Sequence, residues 1–351
     1  MPAPDQFELR FEFPGEGGRP EALRQLCPLY PDVGSALEAL QAHAGAAGAE
    51  FTTEAELDRI VADQERTRTE RQAAGQPLLE AIKRSAPVLP RRFLFRGQAD
   101  SRWAFLPSLF QGLDWGPLPW TRQKLEQMRD AIVRRNAWTQ RFTADLMAAS
   151  RSGAVDPAIA TFNPTQQHLA ARHYSFPSDY LDFTTSPGVA AFFATTNATP
   201  RRIGILYALD IHRLYDAIGM ASTGARPDGS LEVMFPAYRI GLPGTDRSVV
   251  LQAFRDLVFS MATVPLARVR AQSAVFLDVG TEKGFSYDDP KCVFDEYWLW
   301  NALDFISDKF LFRQSGARYE DADAKVTDSC LLLPDDPLDR FASEWRSGNP
   351  L

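Results

Sequence analysis

An α+β fold is what this sequence predicts, and three observations carry that prediction. Short apolar runs, Phe93-Leu94-Phe95, "GILYALDI" and "AVFLDV", read as strands. Long helix-rich insertions separate them, unlike the regular alternation of a doubly wound sheet. The opening "FELRFEF" alternates strictly, with Phe7, Leu9, Phe11 and Phe13 on one side and Glu8, Arg10 and Glu12 on the other. That period of two marks a half-buried strand.

The elements follow in chain order. "PGEGGRP" ends the first strand in a turn. Gly15, Gly17 and Gly18 lack the third glycine of a dinucleotide loop, and a proline, Pro20, enters the helix expected to follow. Residues 35–86 read as helices. Within them "TTEAELDRIVADQERTRTERQ" starts on a Thr cap and an acidic first turn, then becomes densely charged, as an exposed arm or an edge-packed helix would. The strand at Phe93 ends at Gly97. A second helical block, 121–150, sets Leu125, Met128, Ile132, Trp138, Phe142 and Leu146 on one buried face. "AVFLDV", Ala274 to Val279, is a later strand, and "FDEYWLWNALDFISDKFLF" is an aromatic helix. The chain divides into a strand and helical arm at 1–88, a core at 89–280 and a helical extension at 281–351.

Composition narrows the class. The chain has 351 residues, 45% hydrophobic and 24% charged, with a formal net charge of -7. An acidic balance argues against a dedicated nucleic-acid binder, although Arg pairs at Arg91, Arg134 and Arg201 could form local patches. No apolar run approaches the roughly 20 residues of a membrane span. "MPAPDQFELR" lacks a basic and then apolar leader, and Cys27, Cys292 and Cys330 are widely spaced. A cytoplasmic protein with reduced thiols and no membrane partner is expected.

Chemistry concentrates in two places. Arg96, in "FLFRGQ", ends an apolar strand beside a glycine. Its planar fork suits a phosphate or carboxylate ligand, or a structural salt bridge. The segment "RHYSFPSDYLDFTTSPGVAAFFA", Arg172 to Ala194, is the densest in polar groups. Ser186 before Pro187 is a helix N-cap, and with Thr184 and Thr185 it also offers hydroxyls at an anion-friendly helix start. His173 and Asp182 fit a general base with its orienting carboxylate, or a packed hydrogen-bonded pair. His168 and His173 stand about 140° apart on a helix and have no Cys pair beside them, so no metal is expected.

Together these residues resemble the FRG domain family, named for its Phe-Arg-Gly motif. The resemblance runs from Phe93 to Asp278 through "FRGQADSRWAFLPSLF", the Arg172–Ala194 segment, "GILYALDI" and "RVRAQSAVF". Two departures stand out. Arg172 precedes His173 where the family commonly has glutamine, and Asp179 occupies a usual arginine position. A more distant resemblance is to the Arg-Ser-Glu class of ADP-ribosyltransferases. It implies a split-sheet core with helical insertions and flanks, and NAD as the substrate.

In that class the arginine holds a phosphate, the serine strand shapes the nicotinamide pocket, and a glutamate steadies the ribosyl cation. The resemblance gives Arg96, the Thr184-Thr185-Ser186 strand and Gln272 the places of these three motifs; with His173 and Asp182 nearby, the expected catalytic residues are Arg96, His173, Asp182, Ser186 and Gln272. It assigns NAD-binding places to Arg96, Gly97, Gln98, Thr184, Thr185 and Ser186. Gln272-Ser273-Ala274 supplies the glutamine of the third motif without its glutamate, on a strand whose alternation along "AQSAVFLDV" would turn Gln272, Ala274 and Phe276 to one face, leaving Glu232 and Glu296 as candidate acids. The implied function is an NAD- or nucleotide-binding effector in bacterial toxin or phage-defence systems, with a protein or nucleic-acid target. The alternative is a non-catalytic ligand-binding or interaction module on the same fold.

Overall fold

The computed structural model describes residues 4–14, 20–46, 93–115, 120–210, 257–262, 264–281, 290–333 and 336–351. Within these, eight strands join in one mixed sheet. They are β1 (Asp5–Pro14), β2 (Pro20–Tyr30), β3 (Phe93–Gln98), β4 (Leu181–Thr184), β5 (Ile203–Asp210), β6 (Leu257–Ala262), β7 (Ala274–Thr281) and β8 (Asp308–Arg313). Their spatial order is β1-β2-β8-β5-β3-β4-β7-β6, and only β2–β8 is parallel. The α+β class is therefore the observed one.

Helices α1 (Val33–Ala46), α2 (Arg122–Arg151), α3 (Pro164–His173) and α4 (Pro187–Thr195) cover the sheet with α5 (Ala267–Ala271), α6 (Lys291–Ile306), α7 (Asp328–Leu332) and α8 (Pro337–Gly348). On one side α1 and α4 bury Phe93, Phe95, Leu206, Ala208, Phe310 and Phe312. Around β7, helices α2, α3 and α8 enclose a second core in which Phe142 stacks on Phe176 at 3.7 Å between centroids, with Phe276 and Leu338 in the same cluster. The buried face expected of the 121–150 helix is borne out for Met128, Ile132, Trp138, Phe142 and Leu146, and Thr121 caps the helix by accepting from the Lys124 amide.

Three expectations need correction. The segment read as one aromatic helix breaks at Ser307, and Asp308–Arg313 is a strand between β2 and β5. Four successive residues of β8 are buried, and a strand covered on both faces reads in sequence like a buried helix. Pro20–Tyr30, passed over as turn and approach to a helix, is β2. Gln272 is not on a strand: it closes α5, and β7 begins only at Ala274. Most of the charged arm, including "TTEAELDRIVADQERTRTERQ", lies outside the described residues. Among the described residues no helix is long and apolar enough to cross a membrane.

The narrowest seam of the sheet lies between β3 and β4. β3 pairs with β5 through six residues, Phe93 to Gln98, but with β4 only through Phe95 and Thr184. All the strongly implicated residues lie around this seam.

Candidate functional site

Gly97 explains why β3 can carry Arg96 where it does. A Cβ at Gly97 would stand 1.9 Å from the Ala190 carbonyl and 2.6 Å from the Ala194 amide, so β3 and α4 approach too closely for any side chain. Arg96, one residue earlier, shares a face of the sheet with Tyr207, its partner across β5. The guanidinium lies 5.9 Å from the centroid of the Phe105 ring, and Phe105 in turn meets Tyr207 and Phe183. Arg96 Nη1 reaches across the seam and donates to the Asp182 carbonyl at 2.7 Å. Its Nε is sealed from solvent without a partner, and among the described residues no carboxylate forms an ion pair with it. Burial pulls its pKa below the ordinary arginine value, with the Asp182 charge acting in the opposite sense.

The Thr-Thr-Ser turn is built differently. Thr184 Oγ1 donates to the Gln272 carbonyl at 2.7 Å and accepts from the Ser186 amide at 3.1 Å. The Thr185 amide donates to the Ser273 carbonyl at 3.1 Å. Ser186 is the N-cap of α4, accepting from the Val189 amide at 3.4 Å, with Pro187 beginning the helix as expected. Gln272 is buried and its amide donates to the Leu331 carbonyl of α7 at 2.8 Å. Gln98 is buried as well, with Oε1 unpartnered and Nε2 on the Ala104 carbonyl at 3.4 Å.

Behind this turn, α3 delivers Arg172 and His173. Arg172 Nη2 donates to Asp182 Oδ2 in a short ion pair. His173 packs edge-on to Tyr174 and to Phe276, at centroid distances of 5.7 Å and 6.1 Å. Since Phe276 pairs with Asp182 across β4 and β7, His173 and the Asp182 side chain share one face of the sheet. His173 Nε2 is sealed and unpartnered, as is Asp182 Oδ1. Burial pushes the His173 pKa down to about 3, helped by the charges of Arg268 and Arg172, so the ring is neutral at pH 7.

The structure therefore gathers the expected residues around one seam but onto two faces. Arg96 leaves on the Tyr207 face, whereas Asp182, Thr184 and His173 belong to the Phe276 side; Arg96 meets Asp182 through backbone. Two residues that sequence reasoning did not single out join the second face. Arg172 was legible only as a departure from the family pattern. Arg268, in the motif "RVRAQ", ion-pairs with Asp339 of α8 at 3.1 Å and lies 5.6 Å from the Tyr174 ring centroid. Nothing local in the sequence announces a partner 71 positions away. Glu232 lies outside the described residues, as does the side chain of Glu296.

Residues 91–202 match the family model of the FRG domain. The match takes in Arg96, Arg172, His173, Asp182 and the Thr184–Ser186 turn, and stops short of Arg268 and Gln272. No curated protein and no solved structure gives a significant match to the chain.

Proposed function

We propose that the FRG domain of this chain binds an anionic nucleotide, NAD foremost, at the β3–β4 seam in the manner of an ADP-ribosyltransferase. One observation carries the reading. A guanidinium withdrawn from water, with a sealed Nε and no carboxylate partner among the described residues, is a charge in need of an anion. A ligand phosphate at Arg96 would supply that charge through the remaining fork positions. Gln98, two residues on and on the same face of β3, would stand beside it, while Gly97, closed against α4, and Thr184 face the other way. In NAD cleavage the bond between ribose C1′ and the nicotinamide nitrogen breaks and nicotinamide leaves with the bonding pair. Water or a target nucleophile then attacks C1′. With its pKa pulled down to about 3, His173 is too weak a base to take that nucleophile's proton, which would pass to solvent, and the neutral ring would serve as a wall of the site. A toxin or phage-defence role stands or falls with this consumption of NAD.

A second reading, a non-catalytic ligand-binding or interaction module, is favoured by a different observation. The Gln272 amide is already taken by Leu331, Thr184 both donates and accepts within the turn, and Ser186 caps α4. Thermal melts with NAD, ADP-ribose and ATP test binding, because a ligand of the native state raises the melting temperature. Chromatography of NAD incubations for free nicotinamide then separates the two readings. Arg96→Gln should lose the thermal shift while remaining folded by circular dichroism. An unchanged shift in that variant would remove Arg96 as the anchor.

A further inference from the structure

Charge in the second face is layered. The guanidiniums are inside: Arg172 is 14% exposed and Arg268 17%. Their carboxylate partners are outside: Asp182 is 40% exposed and Asp339 48%. Each arginine also keeps a sealed, unpartnered Nε, as does His173 at Nε2 between them in the field of both. A guanidinium so placed, Arg268 against Tyr174 and Arg172 at the end of α3, cannot leave without giving up its packing. A half-exposed carboxylate regains water when it turns out, and an incoming anion would take over the guanidinium it leaves, so exchange costs little although simple loss of the carboxylate would not. The arrangement is asymmetric: fixed cations and replaceable anions.

We propose that Arg172 and Arg268 are a second pair of ligand-binding residues, and that Asp182 and Asp339 hold the positions of two anionic groups of the ligand. This rests on the nucleotide reading above and narrows it to a ligand of the nucleoside-diphosphate class, whose phosphate in the place of Asp182 would be the one shared with Arg96, since Arg96 and Arg172 both reach Asp182. Phosphate oxygens entering here would satisfy the free Nε positions, which the present carboxylates leave empty. Asp339 belongs to α8, outside the matched FRG segment. The C-terminal helix thus supplies one placeholder from the same chain.

Calorimetric titration with pyrophosphate and with ADP-ribose, at ionic strength held constant with sodium chloride, tests this on the full chain. Asp339→Asn keeps Arg268 packed and removes its competitor, so pyrophosphate binding should strengthen about tenfold, or ~1.4 kcal/mol. Asp328→Asn is the control: it removes an equally exposed charge that is paired with Arg318 instead. It should change affinity less than about twofold, as expected of a solvent-screened charge that pairs with neither ligand arginine. Arg268→Gln should weaken binding by a similar factor of about ten, and the asparagine variant decides the matter if that protein does not fold. Equal strengthening by Asp339→Asn and Asp328→Asn would overturn the assignment as a general charge effect. So would unchanged affinity in both Asp339→Asn and Arg268→Gln when Arg96→Gln abolishes binding, an outcome that leaves the nucleotide reading standing. If neither probe binds wild type or Asp339→Asn, both proposals fall together.

Discussion

In the turn from Thr184 to Ser186 the hydroxyls at both ends have hydrogen-bond partners inside the protein, whereas Arg96, Arg172, His173, Asp182 and Arg268 each keep a sealed polar atom with none. The two regions touch, and they share β4. Buried polar groups are normally satisfied, because an unmade bond costs about 1–3 kcal/mol. A satisfied turn needs no ligand to explain its sequence. Five unsatisfied groups on β3, α3, β4 and α5 do need something, and their composition of three guanidiniums and a neutral imidazole around one carboxylate favours an anion. The most motif-like stretch of the chain is thus the structural half, and the less conspicuous arginines are the half with chemistry to spare.

The sharpest way to break that division is at Gly97. Alanine there would drive a methyl group into the backbone of α4, so Gly97→Ala should destabilise by about 3 kcal/mol or more. Chemical denaturation measures it, and a near-wild-type midpoint would show that β3 and α4 are not in such close contact. Next in size is an effect of pH on the unsatisfied half. His173 takes up its proton near pH 6.5 in the unfolded chain and near 3 in the folded one. Between those values the unfolded state binds the extra proton, so stability falls as pH is lowered through that window. At pH 4.5 the deficit relative to His173→Gln should be about 2–3 kcal/mol, and at pH 7.5 it should vanish. Parallel pH profiles for the two proteins would place the imidazole in water.

On the satisfied half, Thr184→Val removes a donor and an acceptor from the joint between β4, α4 and α5. A loss of about 1–2 kcal/mol is expected, with ADP-ribose affinity unchanged in the folded protein. Loss of affinity larger than loss of stability would move Thr184 into the ligand's half and erase the contrast.

Legibility in the sequence follows the range of the interactions. The Ser186-Pro187 start and the Thr121 cap are written within four residues, and both were readable. So was the alternation that makes Asp5–Pro14 a strand. β2 and β8 were not, since their place depends on a parallel pairing between Leu29 and Leu311, a contact no local pattern encodes. The same holds for the site. That Arg96 lies on a strand is local, although β3 runs past the expected end at Gly97 to Gln98; that its side chain and that of Asp182 depart on different faces depends on the register Phe95–Thr184. Gln272 was placed on a strand because alternation was extended two residues past its start, where Ser273 in fact has a positive φ of 45° and turns the chain.

The smallest expected effect tests the comparison most closely. Ser186 stands at the boundary, capping α4 while lying beside the seam that the anion would enter. As a cap alone, its hydroxyl satisfies one amide at the helix start, and Ser186→Ala should cost about 1 kcal/mol. Ser186→Gly should cost only a few tenths of a kcal/mol, because glycine leaves the amide open to water. If that is the whole of its role, the two variants bind ADP-ribose alike and as well as wild type. If the hydroxyl also faces the ligand, both lose affinity together, by about tenfold for one hydrogen bond to a charged group, although their stabilities differ. Affinity that tracks the hydroxyl rather than the cap would extend the functional half of the site across the turn.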